Sequence, residues 1–568
     1  MLARTVDRLT DRLRQYAVVP ADVSPSAPAA SLAVDIRTFP WIRRLASDYV
    51  FAHASVAPFF AGDPSTADAW ADTIRRSQGY KRQHAELAAL LAAQQEARGA
   101  PPASRAAAAR LGDPATRVVI TGQQAGLFGG PLFTLLKALT AMKLASKVSA
   151  EHHVPVVPVF WIDAEDHDWL EVSGCTVLDA DLAPQSVRLG DLPGAGHSPI
   201  ARLTLNDEIT KATDTLAAAL PDTEFREELL ASLRQAYQPG TGMTTAFGRW
   251  IERVLGPHGL VVYDSADPAA KPLARDIFVK ELSHPGETAR IAAAAGEALM
   301  GRGYHAQAML SDDTVSLFHL VEDRESIHLE DGRARVGETH HDLADLANEA
   351  RETPQHFSPN VLLRPIVQDQ LFPTICYVAG PNELAYLGQL RGVYAHFGIP
   401  MPLMYQRASA TLVDSATVRF LTKYDLPLGA LRAQDEAALN QLLASQLPPT
   451  VEQSLSAVAS VIAERMEAVA QAVPQIDPTL EGAVRSTLGR LQHDVQTLHN
   501  KVIQAAKRRD DTLRRQFQRA QALTFPEGHP QEREVGFVWF LNRYGPALVD
   551  RLLAELPLAM GHHWVLTI

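Results

Sequence analysis

Four carboxylates and one imidazole crowd into the six residues Asp163-Ala164-Glu165-Asp166-His167-Asp168. Crowded carboxylates repel and raise one another's pKa, so they need solvent, a cation or a task. Three chemistries fit. The oxygens could hold Mg²⁺ together with a nucleotide. Glu165, Asp166 or His167 could act as a general base, His167 being best matched to neutral pH. Acids also suit the solvated first turn of a helix. Upstream lies a glycine turn, Gly122-Gln123-Gln124-Ala125-Gly126-Leu127-Phe128-Gly129-Gly130-Pro131. Backbone N–H groups near a helix start bind phosphate or carboxylate, and Gln123 and Gln124 add side-chain donors and acceptors. The turn lacks the Gly-Lys-Ser/Thr ending of a P-loop and the dinucleotide fingerprint, so a merely tight strand-to-helix turn explains it equally well.

A third group follows later: Arg364, Gln368 and Asp369, read as lying in or just after a strand, then Gly380, Pro381, Asn382 and Glu383. Arg364 or Arg407 could clamp a carboxylate bidentately. Cys175 and Cys376 sit in no nucleophile motif and read as small core residues. His152 and His153 precede a strand, at the end away from the acids. No transition-metal ligand spacing is recognisable, so the metal preference stays unknown.

The elements that must position these groups are legible as a βαβ unit. The run Val118-Val119-Ile120 reads as a buried strand ending in the glycine turn. Pro131 opens a helix with apolar Leu132, Leu135, Leu136, Leu139 and Met142, and with Lys137, Lys143 and Lys147 on other faces. A second strand, Val156 to Ile162, ends in the acids. Strand, helix, strand is the unit of a parallel sheet, and ligands of such sheets sit beyond the carboxyl ends of the strands. Residues 259–268 repeat the pattern, with Asp264 and Ser265 at the strand end. Gly380-Pro381 repeats the Gly130-Pro131 device of a permissive glycine and a helix-opening proline.

The fold class expected is therefore α/β, with a Rossmann-like core over residues 1–410. That core includes an N-terminal helical region, which begins with a short helical pattern in residues 1–35, and inserted antiparallel strands at about 303–337. From 411 to 568 the chain reads as helical. Val484, Leu488, Leu491, Val495, Leu498, Val502 and Ala505 alternate in steps of four and three, a heptad seam. Val451, Leu455, Val458, Ile462 and Val469 form a looser one, and the pair suggests an antiparallel hairpin whose seam could equally pair two chains. Lys507, Arg508, Arg509, Arg514 and Arg515 make one end basic. The aromatic tail around Phe540-Leu541-Asn542-Arg543-Tyr544-Gly545 is expected to dock back on the core.

The 568-residue chain carries a net charge of −12, which gives no global support to a nucleic-acid partner. No apolar run reaches membrane-spanning length. Two cysteines fit a reducing cytoplasm.

The segments TGQQAGLFGGPLFTLLKA, PVVPVFWIDAEDHDWLEV, SPNVLLRPIVQDQLFPTICYVAGPNELAYLGQL and FLNRYG resemble those of the BshC family of bacillithiol biosynthesis, in order along the chain from about residue 117 to about 545. The resemblance implies a cysteine ligase that joins L-cysteine to glucosaminyl-malate through an amide, the last step of that synthesis. It implies a nucleotidylyltransferase or class I synthetase type of core, a capacity to bind nucleotide and a homodimer formed through the coiled coil; activating a carboxylate for amide formation points most simply to ATP (or ADP as the bound form), with Mg²⁺ at the acidic cluster. The matching site residues are Gly122, Gln123, Gln124, Gly129, Gly130 and Pro131; Glu165, Asp166 and His167; and Arg364, Asp369, Gly380, Pro381 and Glu383. The chain has no HIGH or KMSKS-like signature, so adenylation by the usual class I residues is not implied. A nucleotidyl or glycosyl transferase, and a dimeric nucleotide-binding scaffold without turnover, are the other readings.

Overall fold

The computed structural model describes residues 31–568, apart from 308–310, 312, 322–323, 447–448 and 510, and apart from the side chains of 31 and 506–509. The helical pattern expected at the very start of the chain thus lies almost wholly outside the described residues, as do the side chains of Lys507, Arg508 and Arg509. Residues 31–412 and 531–568 form one compact unit, and residues 413–530 form another.

The first unit is built on a five-stranded parallel sheet of β1 (Arg117–Gln124), β2 (Val156–Asp163), β3 (Val261–Asp264), β4 (Thr374–Ala379) and β5 (Leu403–Gln406). Their spatial order is β5-β4-β1-β2-β3. The chain fills one side of β1 first and then crosses to the other, so the order reverses between β1 and β4. That reversal is the switch point of a doubly wound sheet, where two connections leave in opposite directions and open a crevice. The strands are almost continuously apolar because both faces are covered: Val118, Val119, Ile120, Val157, Val159, Val262 and Val378 are all fully buried. Helix α1 (Leu132–His152) joins β1 to β2 and is buried on nearly every face over its first half.

The glycine turn between β1 and α1 is a packing device. The amides of Gly126, Gly129, Gly130 and Leu132 donate to the carbonyls of Gln124, Gly126, Leu127 and Val535 respectively. Those N–H groups are spent, so the phosphate cradle read from the glycines does not form there. The chain's last segment closes over the turn instead. Gly130 accepts from the Phe537 amide at 3.1 Å, and Gly536 donates to Thr176 at 2.8 Å. Gly129 has φ +99°, and a Cβ there would stand 2.3 Å from the Phe537 ring. Gly129→Ala therefore combines backbone strain with overpacking, and should cost about 2–4 kcal/mol in a denaturant titration. A loss below about 0.5 kcal/mol, the range of a neutral surface change, would show that the turn is not packed in this way. Gly536 is equally tight, since its Cβ would lie 2.4 Å from Cys175 Sγ. Burial pushes the Cys175 thiol up to about 12, which suits a core residue.

One expected strand is a helix. Arg364, Gln368 and Asp369 lie on α2 (Arg364–Leu371), not in or after a strand. Asn360 Oδ1 accepts from the amides of Leu362 and Leu363, and Pro365 stands in the first turn with its φ preset for a helix. A short apolar run does not by itself separate a buried helix from a strand. The glycine device is not repeated either. Gly130 has φ +77°, whereas Gly380 is absent from the positive-φ residues and donates its amide to the Glu383 carboxylate just ahead. Glu383 opens the short α3 (Glu383–Leu387).

The inserted strands form a five-stranded antiparallel sheet, made from Thr314–His319, Glu325–Glu330, Arg333–Val336, Thr339–His341 and Phe357–Pro359. In the second unit, α4 (Pro449–Ala472) and α5 (Leu480–Arg509) fold back on each other as an antiparallel hairpin, with His499 Nε2 3.2 Å from Glu452 Oε2. Val484, Leu488, Leu491 and Val495 are half-buried as the heptads require. Val458, Val469 and Leu498, read as seam residues, are instead exposed. Among the described residues no helix is long and apolar enough to cross a membrane.

Candidate functional site

A cavity of about 650 Å³ lies at the switch point, beyond the carboxyl ends of β1, β2 and β4. Its floor is the end of β1 (Gly122, Gln123, Gln124), with Trp161 and Asp163 from β2 and Tyr377 from β4. Arg364 of α2, Glu383 and Tyr386 of α3, and Asp166 and Glu171 after β2 form its walls. Phe318, Arg324, Ser326 and His328 of the inserted sheet form the far side. Gly122 is needed at the floor because a Cβ would meet the Trp161 carbonyl at 3.1 Å. Its own carbonyl accepts from Lys137 Nζ at 2.8 Å.

The expected residues divide into two groups. Gly122, Gln123, Gln124, Asp166, Arg364 and Glu383 line the cavity together. Gln124 Nε2 donates to Asp166 Oδ2, and Asp166 Oδ1 accepts the His167 amide at 2.8 Å. His167 is not among the lining residues. Its side chain is 52% exposed, with Nδ1 3.5 Å from Asp166 Oδ1 and 3.3 Å from Arg324 Nη1. Glu165 points away and is buried against Lys271; burial raises its carboxyl and the ammonium opposes that rise. It neutralises a core lysine, so a role as base does not follow from its position.

The rest of the expected set lies outside this cavity. Asp369 is fully buried and accepts from the Tyr394 hydroxyl and from Gln368, while its carbonyl accepts from Arg82. Arg407 is buried in a bidentate pair with Glu532, at 2.9 and 2.7 Å, so its fork is taken up within the protein. Gly129 and Gly130 belong to the packed turn. Gly380 and Asn382 precede α3, where Gly380 orients Glu383.

Several residues in or directly beneath the cavity were not foreseen. Lys137 is 3% exposed and donates to Gly122, to Gln123 Oε1 and to Glu383 Oε1, so all three ammonium hydrogens are used. Burial lowers its pKa, and Glu383 works against that shift. A lysine within the stretch of α1 that is buried on nearly every face signals such pairing. Arg324 comes from the insertion, lies 3.7 Å over the Phe318 ring, and its Nε has no hydrogen-bond partner among the described residues. The indole Nε1 of Trp161 and the Oε1 of Gln124 likewise have none among the described residues. Buried polar atoms without partners at a cavity wall are the groups a bound ligand would satisfy.

Charge in the cavity is mixed. Asp163, Asp166, Glu171 and Glu383 face Arg324 and Arg364. Asp163 keeps 35% of its side chain open, but to an interior cavity, so burial pushes its carboxyl up; Arg364, with Nε 3.8 Å away, pulls it down and Asp166 adds to the rise. Arg364 lies 5.9 Å from the ring centroids of both Trp161 and Tyr377. Such a site suits a ligand that carries both carboxylate and amine groups, and it offers a raised carboxylate to take a proton. The carboxylate oxygens of Asp163 and Asp166 also suit a hard cation such as Mg²⁺.

Two family models cover the chain. One, described as the N-terminal Rossmann-like domain of bacillithiol biosynthesis BshC, matches residues 32–408. The other, the C-terminal coiled-coil domain of the same family, matches residues 410–568. A protein of Salinibacter ruber named "Putative cysteine ligase BshC" is 35% identical over 91% of this chain and 95% of its own length. Proteins of the same name from Chlorobaculum tepidum and Symbiobacterium thermophilum are each 33% identical, covering 79% and 85% of this chain and 82% and 89% of their own.

Proposed function

Since the chain belongs to the BshC family of bacillithiol biosynthesis, we propose that it is a cysteine ligase that joins L-cysteine to glucosaminyl-malate through an amide, at the cavity between β1 and β4. The observation that carries this reading is the grouping of Arg364, Arg324, Asp163, Asp166 and Glu383 around one switch-point crevice. Both substrates bring carboxylates and amines, which the two arginines and the acids match in sign.

Forming an amide from a carboxylate requires activation, and ATP supplies it by turning a carboxylate oxygen into a phosphate leaving group. The residues with charge to meet the anionic reactants are Arg364 and Arg324, since the amides of Gly126, Gly129 and Gly130 in the glycine turn already have backbone partners. Arg364 holds a substrate carboxylate in two-pronged fashion. The attacking amine must lose a proton as the carbon–nitrogen bond forms. Asp163, with its raised carboxyl at the end of β2, is the acceptor. Lys137 and the Gly380 amide fix Glu383 opposite it, ready to hold the amine. The exposed apolar residues on the hairpin, Val458, Val461, Val469 and Leu498 among them, support a homodimer through the coiled coil.

Asp163→Asn should lower kcat roughly a hundred- to ten-thousandfold, with product followed by mass spectrometry in the presence of ATP, cysteine and glucosaminyl-malate. His167→Ala should keep most of the activity, because the imidazole stands at the rim. Equal losses in the two variants would move the proton transfer to His167, and full activity in Asp163→Asn would remove Asp163 from the chemistry. Binding of nucleotide without product from wild-type protein, at any condition that sustains the pathway in cells, would favour the scaffold.

A further inference from the structure

Outside the cavity, three ligating side chains converge in the insertion. His319 Nε2 is 3.1 Å and His356 Nδ1 is 2.7 Å from the same oxygen, Oε1 of Glu349. One ligand atom from each residue lies within 4.8 Å of the others. They come from three elements: the strand Thr314–His319, the helix Leu343–Glu352 and the turn Pro354–His356. None of the three lines the switch-point cavity. Among the described residues no lysine or arginine pairs with Glu349, so two imidazoles are its only cationic or potentially cationic partners.

The backbone beneath the cluster is fixed. His319 pairs with Phe357 across the inserted sheet, and the Leu320 amide donates to the His356 carbonyl at 2.8 Å. The Thr353 amide donates to the Glu349 carbonyl at 2.7 Å, closing the helix just before the turn. The side chain of His319 is 13% exposed, and those of Glu349 and His356 are 29% and 37% exposed. A cation could therefore enter from solvent. The ring of a fourth histidine, His341, lies 6.3 Å from that of His319.

We infer that His319, Glu349 and His356 form a binding site for a divalent transition metal, zinc before others, that pins the inserted sheet to the helix following it. Zinc bonds to imidazole nitrogen and carboxylate oxygen at ~2.0–2.2 Å in a tetrahedron, which puts ligand atoms ~3.3–3.5 Å apart. The two imidazole–carboxylate separations, 3.1 and 2.7 Å, fall about 0.2–0.8 Å short of that, so the carboxylate has to draw back by that much to admit the ion. Two neutral imidazoles and a carboxylate select zinc-class ions over magnesium or calcium, which prefer all-oxygen shells. Three protein ligands leave a fourth position for water or for His341. The same triad without metal is a carboxylate accepting two imidazole N–H bonds, and the two arrangements differ in metal content.

The test uses the full chain, loaded with Zn²⁺, passed through a desalting column and measured for metal by inductively coupled plasma mass spectrometry. Near-stoichiometric zinc is expected in the wild type and background zinc in His319→Ala and His356→Ala. Glu349→Gln keeps a hydrogen-bond acceptor and should still fold, as checked by circular dichroism, yet lose zinc. Cobalt(II) loading should give the intense visible bands of tetrahedral coordination in the wild type and not in Glu349→Gln. Background zinc in the loaded wild type would overturn the inference. So would equal zinc and an unchanged cobalt spectrum in folded Glu349→Gln and in His319→Ala/His356→Ala.

Discussion

Arg364→Ala is expected to lower kcat/KM roughly a hundredfold or more, equivalent to about 2.7 kcal/mol of transition-state stabilisation. The side chain is 11% exposed, so its charge acts in a medium that screens poorly. It is held between Trp161 and Tyr377, and it faces the raised carboxyl of Asp163. If it clamps a substrate carboxylate, most of the loss should appear as a raised KM for glucosaminyl-malate. If it meets charge that develops only during reaction, the loss should appear in kcat. Arg364→Lys should recover little, because an ammonium lacks the planar fork that engages a carboxylate with two parallel bonds. Removing the guanidinium also leaves Asp163 without its nearest cation. The melting temperature must therefore be measured alongside, and Arg364→Gln serves as the variant of similar length. Steady-state kinetics on folded Arg364→Gln with unchanged kcat and KM would eliminate the clamp.

Arg407→Ala should have its large effect on stability instead. Arg407 and Glu532 are both buried and bonded in two-pronged fashion, with Ser409 Oγ and the Ala410 amide completing the carboxylate's partners. Truncating one member leaves a buried uncompensated charge, which costs about 3–5 kcal/mol. The fraction that remains folded should keep a wild-type KM, which separates this variant from Arg364→Ala. The pH dependence follows from the same group. Burial opposes ionisation of Glu532, but Arg407 and the surrounding donors outweigh it and hold the carboxyl down at about 2, from an ordinary 4.5. A carboxyl depressed in the folded state contributes stability that is complete above its unfolded pKa and is lost as pH falls towards the folded one. The neighbouring His563 acts in the same direction. Burial holds it at about 4, so an unfolded imidazole takes up its proton first as pH falls below its ordinary 6.5. Wild-type stability should therefore decline from about pH 6.5 downwards, first through His563 and then through Glu532. His563→Gln should flatten the upper part of that decline in denaturant titrations. A wild-type profile that is flat between pH 7 and pH 4 would contradict the His563 assignment, and one that is flat below about pH 4.5 would contradict that of Glu532.

The contrast between the two arginines marks how far the sequence could be read. The βαβ unit, the strand ends and the placement of Gln123, Gln124, Asp166 and Arg364 near one crevice were legible, because apolar runs and their polar ends report strand burial directly. Arg364 and Arg407 looked alike in sequence; only the tertiary fold brings Glu532, 125 residues later, against one of them. The glycine turn misled for a related reason. Its glycines are spent on Val535, Gly536 and Phe537, which return from the far end of the chain. Arg324 and the His319–Glu349–His356 triad come from an insertion whose pairing no local period encodes. Glu165, one residue from Asp166, points to Lys271 from a bend just past the end of β2, where no strand period fixes side-chain direction.

Metabolites of the source organism without this gene test the central claim most directly. If the switch-point cavity joins cysteine to glucosaminyl-malate, the deletion strain contains no bacillithiol and accumulates glucosaminyl-malate. Wild-type protein restores the product, and Arg364→Ala protein, folded and present at equal level, does not. Bacillithiol persisting in the deletion strain without glucosaminyl-malate accumulation, or full restoration by Arg364→Ala, would contradict that role.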